Sequence, residues 1–73
     1  MSRREVVAEV TGSVWKVLVG TGDVVVAGGV VMILESMKME IPVIAEDGGT
    51  VVELLVAEGA AVTEGQPVAV LDD

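Results

Sequence analysis

Short apolar runs alternate with glycine-containing gaps along the whole chain. The runs are rich in valine, which favours extended backbone because its branched side chain packs well on a pleated surface. Glycine supplies the positive φ that tight turns need, so runs bounded by glycine predict strands. The pattern predicts eight of them: Glu5–Val10, Ser13–Val19, Val24–Val26, Val30–Glu35, Glu40–Ala45, Thr50–Val56, Ala61–Thr63 and Val68–Leu71.

The chain also contains an internal repeat. Shifted by 37 positions, residues 2–36 lie over residues 39–73 without a gap, and twelve of the 35 aligned positions are identical. Four strands alone would leave free edges and one bare apolar face, so the two halves have to pack on each other. The sequence therefore predicts an all-β fold, an eight-stranded barrel or sandwich with a quasi-two-fold axis.

One stretch has a second interpretation. GGVVMILESMKMEIPVI also fits a buried helix, because Met, Leu, Glu and Lys favour helices. Pro42 would break that helix, and the equivalent stretch GQPVAVLDD contains a proline as well. We expect strands here, with the helix as the alternative.

The repeat leaves over only Met37 and Lys38, which connect the two halves. A two-residue connection between strands is a tight hairpin, and its common form needs positive φ at both central residues, usually Asn-Gly. Two non-glycine residues held there cost on the order of 1–3 kcal/mol each. Because glycine stands at the other turns, this exception indicates that position 38 is kept for its side chain. By the same symmetry, the chain ends should lie at the opposite pole.

Charge and composition narrow the classes of function. The net charge is -8, and hydrophobic residues make up 52% of the chain, too many for a disordered acidic tail. Nucleic acids and anionic membranes bind Lys and Arg, so neither is an expected partner. The chain has no Cys and no His, which excludes a Ser-His triad, a thiol nucleophile and the usual zinc site. Without a secretory signal or an apolar run of membrane-spanning length, residues 1–73 are expected to form a single cytoplasmic domain.

Lys38 has three interpretations. A solvated surface charge is the ordinary role of a lysine. A catalytic amine needs burial or a cationic neighbour to lower its pKa, and a hairpin tip between acids offers neither. The third is a covalent attachment point, for which a long amine on a rigid pole is well suited. The methionines on either side suit recognition by a partner, or else they fill the end of the core. The other lysine, Lys16, falls in the second strand and should face outward.

These residues match a known family. Over essentially its whole length the chain resembles the biotinyl/lipoyl carrier domain, and MKM at Met37, Lys38 and Met39 resembles the biotinyl signature. The resemblance implies a flattened eight-stranded antiparallel barrel, a barrel-sandwich hybrid, with the modified lysine on a hairpin between pseudo-symmetric halves 2–36 and 39–73. The string ESMKMEIP and the short chain most resemble the small biotin/lipoyl attachment proteins of the biotin carboxyl carrier type.

The resemblance also implies a function. Lys38 would be biotinylated by a biotin protein ligase, and the biotin would carry carboxylate between the active sites of a biotin-dependent carboxylase. The domain would be a carrier and not an enzyme, acting through the effective concentration that tethering gives, and we expect a monomer. The flanking recognition residues would be Met37 and Met39, and the candidate ligase contacts would be Glu35, Ser36 and Glu40.

Two positions beside Lys38 depart from the family pattern. Ser36 stands where Ala is common, and Glu35 before it is closer to the Glu-Thr-Asp-Lys-Ala style of lipoyl domains. Lipoate on the same lysine therefore remains an alternative cofactor. An unmodified interaction domain remains a further alternative of a different class.

Overall fold

Eight strands and no helix make up the computed structural model, which describes residues 3–73. The predicted all-β fold is confirmed, and the helix alternative is wrong. No helix within this part of the chain is long and apolar enough to cross a membrane. The strands are β1 (Arg3–Val7), β2 (Gly12–Val17), β3 (Val24–Val25), β4 (Gly29–Ser36), β5 (Met39–Ala45), β6 (Gly49–Leu54), β7 (Ala61–Val62) and β8 (Pro67–Asp72).

Predicted and observed strands agree in number and order but differ at their ends. β1 differs most, because it begins at Arg3 and ends at Val7 instead of running from Glu5 to Val10. Beyond Val7 the backbone leaves its regular pairing with β8, although the Ala8 N–H still donates to the Gln66 carbonyl (2.8 Å). Pro42 lies inside β5 and is tolerated there because β5 is an edge strand.

The strands form two four-stranded antiparallel sheets with the orders β1-β8-β6-β3 and β5-β4-β2-β7. Replacing each strand by the one four places along converts one order into the other, as the repeat requires. The irregularities follow the same symmetry, since Val31 is an extra residue of β4 and Val68 an extra residue of β8. Each of these bulges turns two successive residues towards the core, which breaks the simple alternation of a strand.

The core lies between the two sheets and consists of small and branched side chains. Met32 is the largest fully buried residue, and Leu34 and Leu71 are next. Fully burying such a side chain contributes about 1.5–3 kcal/mol, so a 73-residue chain depends on this packing being complete. Thirteen buried residues form one cluster: Ala8, Val14, Val25, Val31, Met32, Leu34, Val43, Ala45, Val51, Val62, Val68, Ala69 and Leu71.

The molecule is elongated, with Cα extents of 36 × 17 × 17 Å. The β4–β5 hairpin lies at one pole, and the start of β1 and the end of β8 lie at the other. β4 begins opposite Ala45, the last residue of β5, and ends at Ser36 directly before the hairpin. At the pole opposite the hairpin, Arg4 of β1 donates to the Gly48 carbonyl (2.6 Å) and pairs with Asp73. Lys38 therefore lies at the opposite pole from Arg3 and Asp73, the first and last described residues, as predicted.

Candidate functional site

The β4–β5 hairpin presents Lys38 at one tip of the molecule. Ser36 and Met39 are cross-strand partners, so only Met37 and Lys38 remain in the turn. Both have positive φ, 51° and 66°, as the common two-residue hairpin requires. Within residues 3–73 they are the only non-glycine residues with positive φ. The strained turn predicted from the repeat junction is confirmed.

The side chains of the MKM segment all face solvent. Met37 is 91% exposed and Met39 62%, whereas Met32 in the core is fully buried. The interpretation of the flanking methionines as core fillers is therefore wrong. Lys38 is exposed as well, and the salt bridges among the described residues all belong to Arg4 at the other pole. The Lys38 amine is thus free of ion pairs within this part of the chain.

A loop of the first half fixes the root of the hairpin. Gly12 packs so closely that a Cβ there would lie 2.3 Å from the Glu35 carbonyl oxygen. The Ser36 hydroxyl donates to the Thr11 carbonyl (2.9 Å), and the Thr11 hydroxyl accepts the Glu64 N–H (3.0 Å). These contacts hold the base of the hairpin in place, although its tip is exposed.

Sequence reasoning missed this support. A glycine at the same place in both halves was the available signal for Gly12, since a paired glycine indicates a close backbone approach. Nothing in the sequence distinguishes Thr11 from an ordinary polar turn residue. Ser36, predicted as a ligase contact, is also part of this base.

The two acids of the predicted site oppose each other. Glu35 and Glu40 are cross-strand partners and both are exposed. Like charges directly opposite in a sheet destabilise it, by an amount of the order of 0.2–1 kcal/mol. At the equivalent positions of the other half, Asp72 and Arg3 are partners of opposite charge. The fold thus accommodates a favourable pair here, and among the strand partners of residues 3–73 two acids oppose each other only at the Lys38 pole.

The six predicted site residues, 35–40, are brought together at this pole by one hairpin. Lys16 lies elsewhere, exposed on β2, with its Nζ 5.5 Å from the centroid of the Trp15 ring. It faces outward, as predicted, and no strained turn presents it. No group of three or more His, Cys, Asp or Glu residues that could hold a metal occurs in the described chain.

A groove of about 430 Å³ is present, but it is not part of this site. It lies between the edge strands β1 and β5, and its lining includes Arg4, Val7, Pro42 and Ile44 but no residue of 35–40. The candidate site is therefore a projecting turn, suited to entering a cavity in another protein.

Comparison with known proteins agrees with this geometry. A family profile described as "Biotin-requiring enzyme" matches residues 5–71. The chain belongs to this family. It is 44% identical over 65 residues to the "Biotin/lipoyl attachment protein" of Bacillus subtilis, covering 89% of each chain. It is 43% identical over 67 residues to the "Biotinylated protein TB7.3 homolog" of Mycobacterium leprae, covering 92% of this chain and 94% of that protein.

A solved structure is similar to this chain in fold as well as in sequence. The urea carboxylase of Kluyveromyces lactis superposes with a TM-score of 0.92 at 38% identity over 99% of this chain. The match occupies only 6% of that protein, so the chain corresponds to one segment of it. The family resemblance stated from the MKM segment and the repeat is confirmed.

Proposed function

We propose that this chain is a biotin carrier domain and that Lys38 is the residue to which biotin is attached. The observation that carries the proposal is an exposed lysine amine on the strained tip of the hairpin between the two halves. The names of the B. subtilis and M. leprae relatives, which speak of biotin attachment and of a biotinylated protein, support the choice of group.

The attachment is an amide bond between the Lys38 Nζ and the carboxyl carbon of biotin. The Nζ loses a proton and attacks an activated biotin carboxyl group, which a biotin protein ligase supplies, and the activating group leaves. This chain contributes an amine that is free of ion pairs within residues 3–73 and is flanked by exposed thioethers at Met37 and Met39. Once attached, biotin supplies a ring that accepts and gives up a carboxyl group.

The carrier acts by reach and by tethering. An extended lysine with its attached group reaches on the order of 10 Å or more from the Cα atom. Held on a short arm, the group meets the active sites of a carboxylase at high effective concentration. The chain itself needs no catalytic group for this, and its role in the reaction is transport.

The remaining parts of the proposal concern partners. Met37 and Met39 would contact the ligase at the tip, and Glu35, Ser36 and Glu40 would contact it at the hairpin flanks. Carboxylase subunits are the second class of partner, in keeping with the urea carboxylase segment that shares this fold. We further propose that the domain works as a monomer in the cytoplasm.

The intact mass of the protein isolated from its own cells tests this function. We expect a mass increase corresponding to one biotin per chain. A lipoyl adduct has a different mass and would replace biotin by the alternative cofactor. The unmodified mass, in cells whose ligase modifies other acceptors, would instead favour an interaction domain.

A further inference from the structure

The outer faces of the two sheets share one plan but carry different side chains. On the sheet that continues into the Lys38 hairpin, exposed residues cluster along β2, β4 and β5 and just beyond them. We call this surface the β2–β5 face. Its exposed members are Trp15, Lys16, Leu18, Val30, Pro42 and Ile44.

The strand register shows that these residues form one surface. Val30 and Ile44 are cross-strand partners, 36% and 45% exposed. Towards the hairpin, Ile33 has Pro42 of β5 on one side and Lys16 of β2 on the other. Directly opposed residues share a face of the sheet, so the apolar side chains of β4 and β5 form one strip, which Lys16 borders on β2.

Trp15 gives this face an aromatic anchor. It is the only aromatic residue of the chain and the extra residue of a β-bulge in β2, and it is 43% exposed. The Lys16 Nζ lies over its ring, 5.5 Å from the centroid. A cation–π contact holds the two side chains together, and exposed tryptophans are enriched at the centres of protein interfaces.

The other half shows that the fold does not demand this composition. At two positions of the β2–β5 face the other half carries an acid, since Lys16 corresponds to Glu53 and Pro42 to Glu5. The equivalents of Trp15, Lys16, Leu18, Val30, Pro42 and Ile44 are, in that order, Val52, Glu53, Leu55, Pro67, Glu5 and Val7.

The β2–β5 face itself carries little charge. In a chain of net charge -8, the six members of the face carry a single formal charge, the cation of Lys16. Acids surround it: Glu35 and Glu40 stand at the hairpin end, the Glu58 carboxylate accepts the Val17 N–H (3.0 Å) at the edge of β2, and Glu5, Glu9 and Glu46 line the groove beside Pro42 and Ile44. The face itself is apolar apart from Lys16, with which a carboxylate of a partner would pair.

We propose that a biotin protein ligase docks on the β2–β5 face while it modifies Lys38, an inference that rests on the function proposed above. β4 and β5 run directly from this face into the hairpin, so a protein seated on it has the amine within reach. The complementary ligase surface is apolar, with a carboxylate opposite Lys16.

The way relatives are built favours the ligase as the occupant. The M. leprae relative is matched over 94% of its length, whereas the urea carboxylase contains the same fold as 6% of a longer chain. A carrier that shares a chain with catalytic domains meets them through its tether. A modifying ligase has to find its acceptor by diffusion in both arrangements, so it needs a recognition surface on the domain itself.

The size of the face agrees with a transient partner. In projection, one whole side of the molecule covers roughly 600 Å², from Cα extents of 36 Å and 17 Å, and the face takes up part of that side. A stable protein interface buries roughly 800 Å² on each partner. The face is therefore small for a lasting dimer of this chain and large enough for an encounter that ends when the amide bond is made.

The test is the steady-state rate at which a purified biotin protein ligase modifies the unmodified full chain. The variant Trp15→Val with Lys16→Glu copies the residues that the other half carries at the equivalent positions, Val52 and Glu53. We expect kcat/KM to fall by about tenfold or more, mainly through KM, as for the loss of an aromatic anchor. The single variant Ile44→Glu, on a different strand of the same face, should act in the same direction.

Arg3→Glu is the matched control, because it makes the same charge change on the other sheet at the opposite pole. Its kcat/KM should stay close to that of the parent, and thermal melting identifies any variant that has lost its fold. Equal kcat/KM for the parent, the face variants and the control would overturn the docking proposal while leaving Lys38 as the acceptor. A parent that the ligase does not modify would overturn the proposed function itself. A concentration-dependent dimer that the face variants abolish would assign the face to a second copy instead.

Discussion

At the scale of single residues, the Lys38 hairpin keeps two arrangements that lower stability. Met37 and Lys38 occupy positive φ, a region in which all the other residues found within 3–73 are glycines. Glu35 opposes Glu40, although the other half places opposite charges at the equivalent positions. Strain of this kind persists at functional sites because the side chains are needed there.

The first prediction concerns the turn. Changing Met37→Asn together with Lys38→Gly gives the turn its preferred residues, so the unmodified protein should gain about 1 kcal/mol or more in the free energy of unfolding. The same variant should accept no cofactor. Met39→Asn, at an exposed position outside the turn, is the control and should bring no such gain. Thermal melts test this prediction. A double variant that melts at a lower temperature than the parent would contradict the strain proposed for the turn.

The second prediction concerns the opposed acids. Glu40→Arg copies Arg3 of the other half and turns the like-charge pair into an opposite-charge pair. The variant should be more stable by a few tenths to about 1 kcal/mol at low salt, with the gain shrinking as salt screens the pair. Glu53→Arg makes the same charge change opposite Val70, an apolar partner, and serves as the control. Equal melting shifts for the two variants would show that net charge, and not the opposed pair, is responsible.

At the scale of the strands, periodicity and the repeat were enough to predict the eight elements and the hairpin between the halves. Strand ends were predicted less well, because bulges change the alternation that defines them. Val31 and Met32 are successive and both buried, a pattern that no simple strand has. The support from Thr11 was not predictable, since its backbone carbonyl meets Ser36 only after the sheets have packed.

The third prediction concerns the strand starts. Gly49 has a φ of +128°, and a Cβ there would lie 2.6 Å from the Asp72 carbonyl oxygen. Gly49→Val should therefore lower the free energy of unfolding by about 2 kcal/mol or more without touching Lys38. Gly59 has a φ of +90° but open space around it, so Gly59→Asn should cost far less. Denaturant melts that give equal losses for the two variants would contradict the close approach at Gly49.

At the scale of the whole molecule, neither sheet is formed by one half of the chain alone. One sheet takes β1 and β3 from the first half and β6 and β8 from the second, and the other sheet is mixed in the same way. The repeat predicted that the halves pack on each other. It did not predict that they exchange strands, because strand order depends on long-range pairing that the apolar pattern does not encode.

The fourth prediction follows from this exchange. A fragment of residues 1–37 has no partner strand for β1 or β3 and should be unfolded alone, as should residues 38–73. Mixed together, the two fragments should regain the β-sheet circular dichroism of the intact chain, which itself should unfold in one transition. A stable sheet spectrum from either fragment alone would show that a half is an independent folding unit.

The central claim is that one amine of this chain, on Lys38, is built for attachment. Lys16 is a natural control, because it is also exposed but lies on a strand with its Nζ over Trp15. The most direct measurement is peptide mass mapping of the chain and of its Lys38→Arg variant after reaction with a biotin protein ligase. The predicted result is one biotin per chain, located on Lys38, and none on the variant. Biotin on Lys16, or labelling retained by the variant, would contradict the claim.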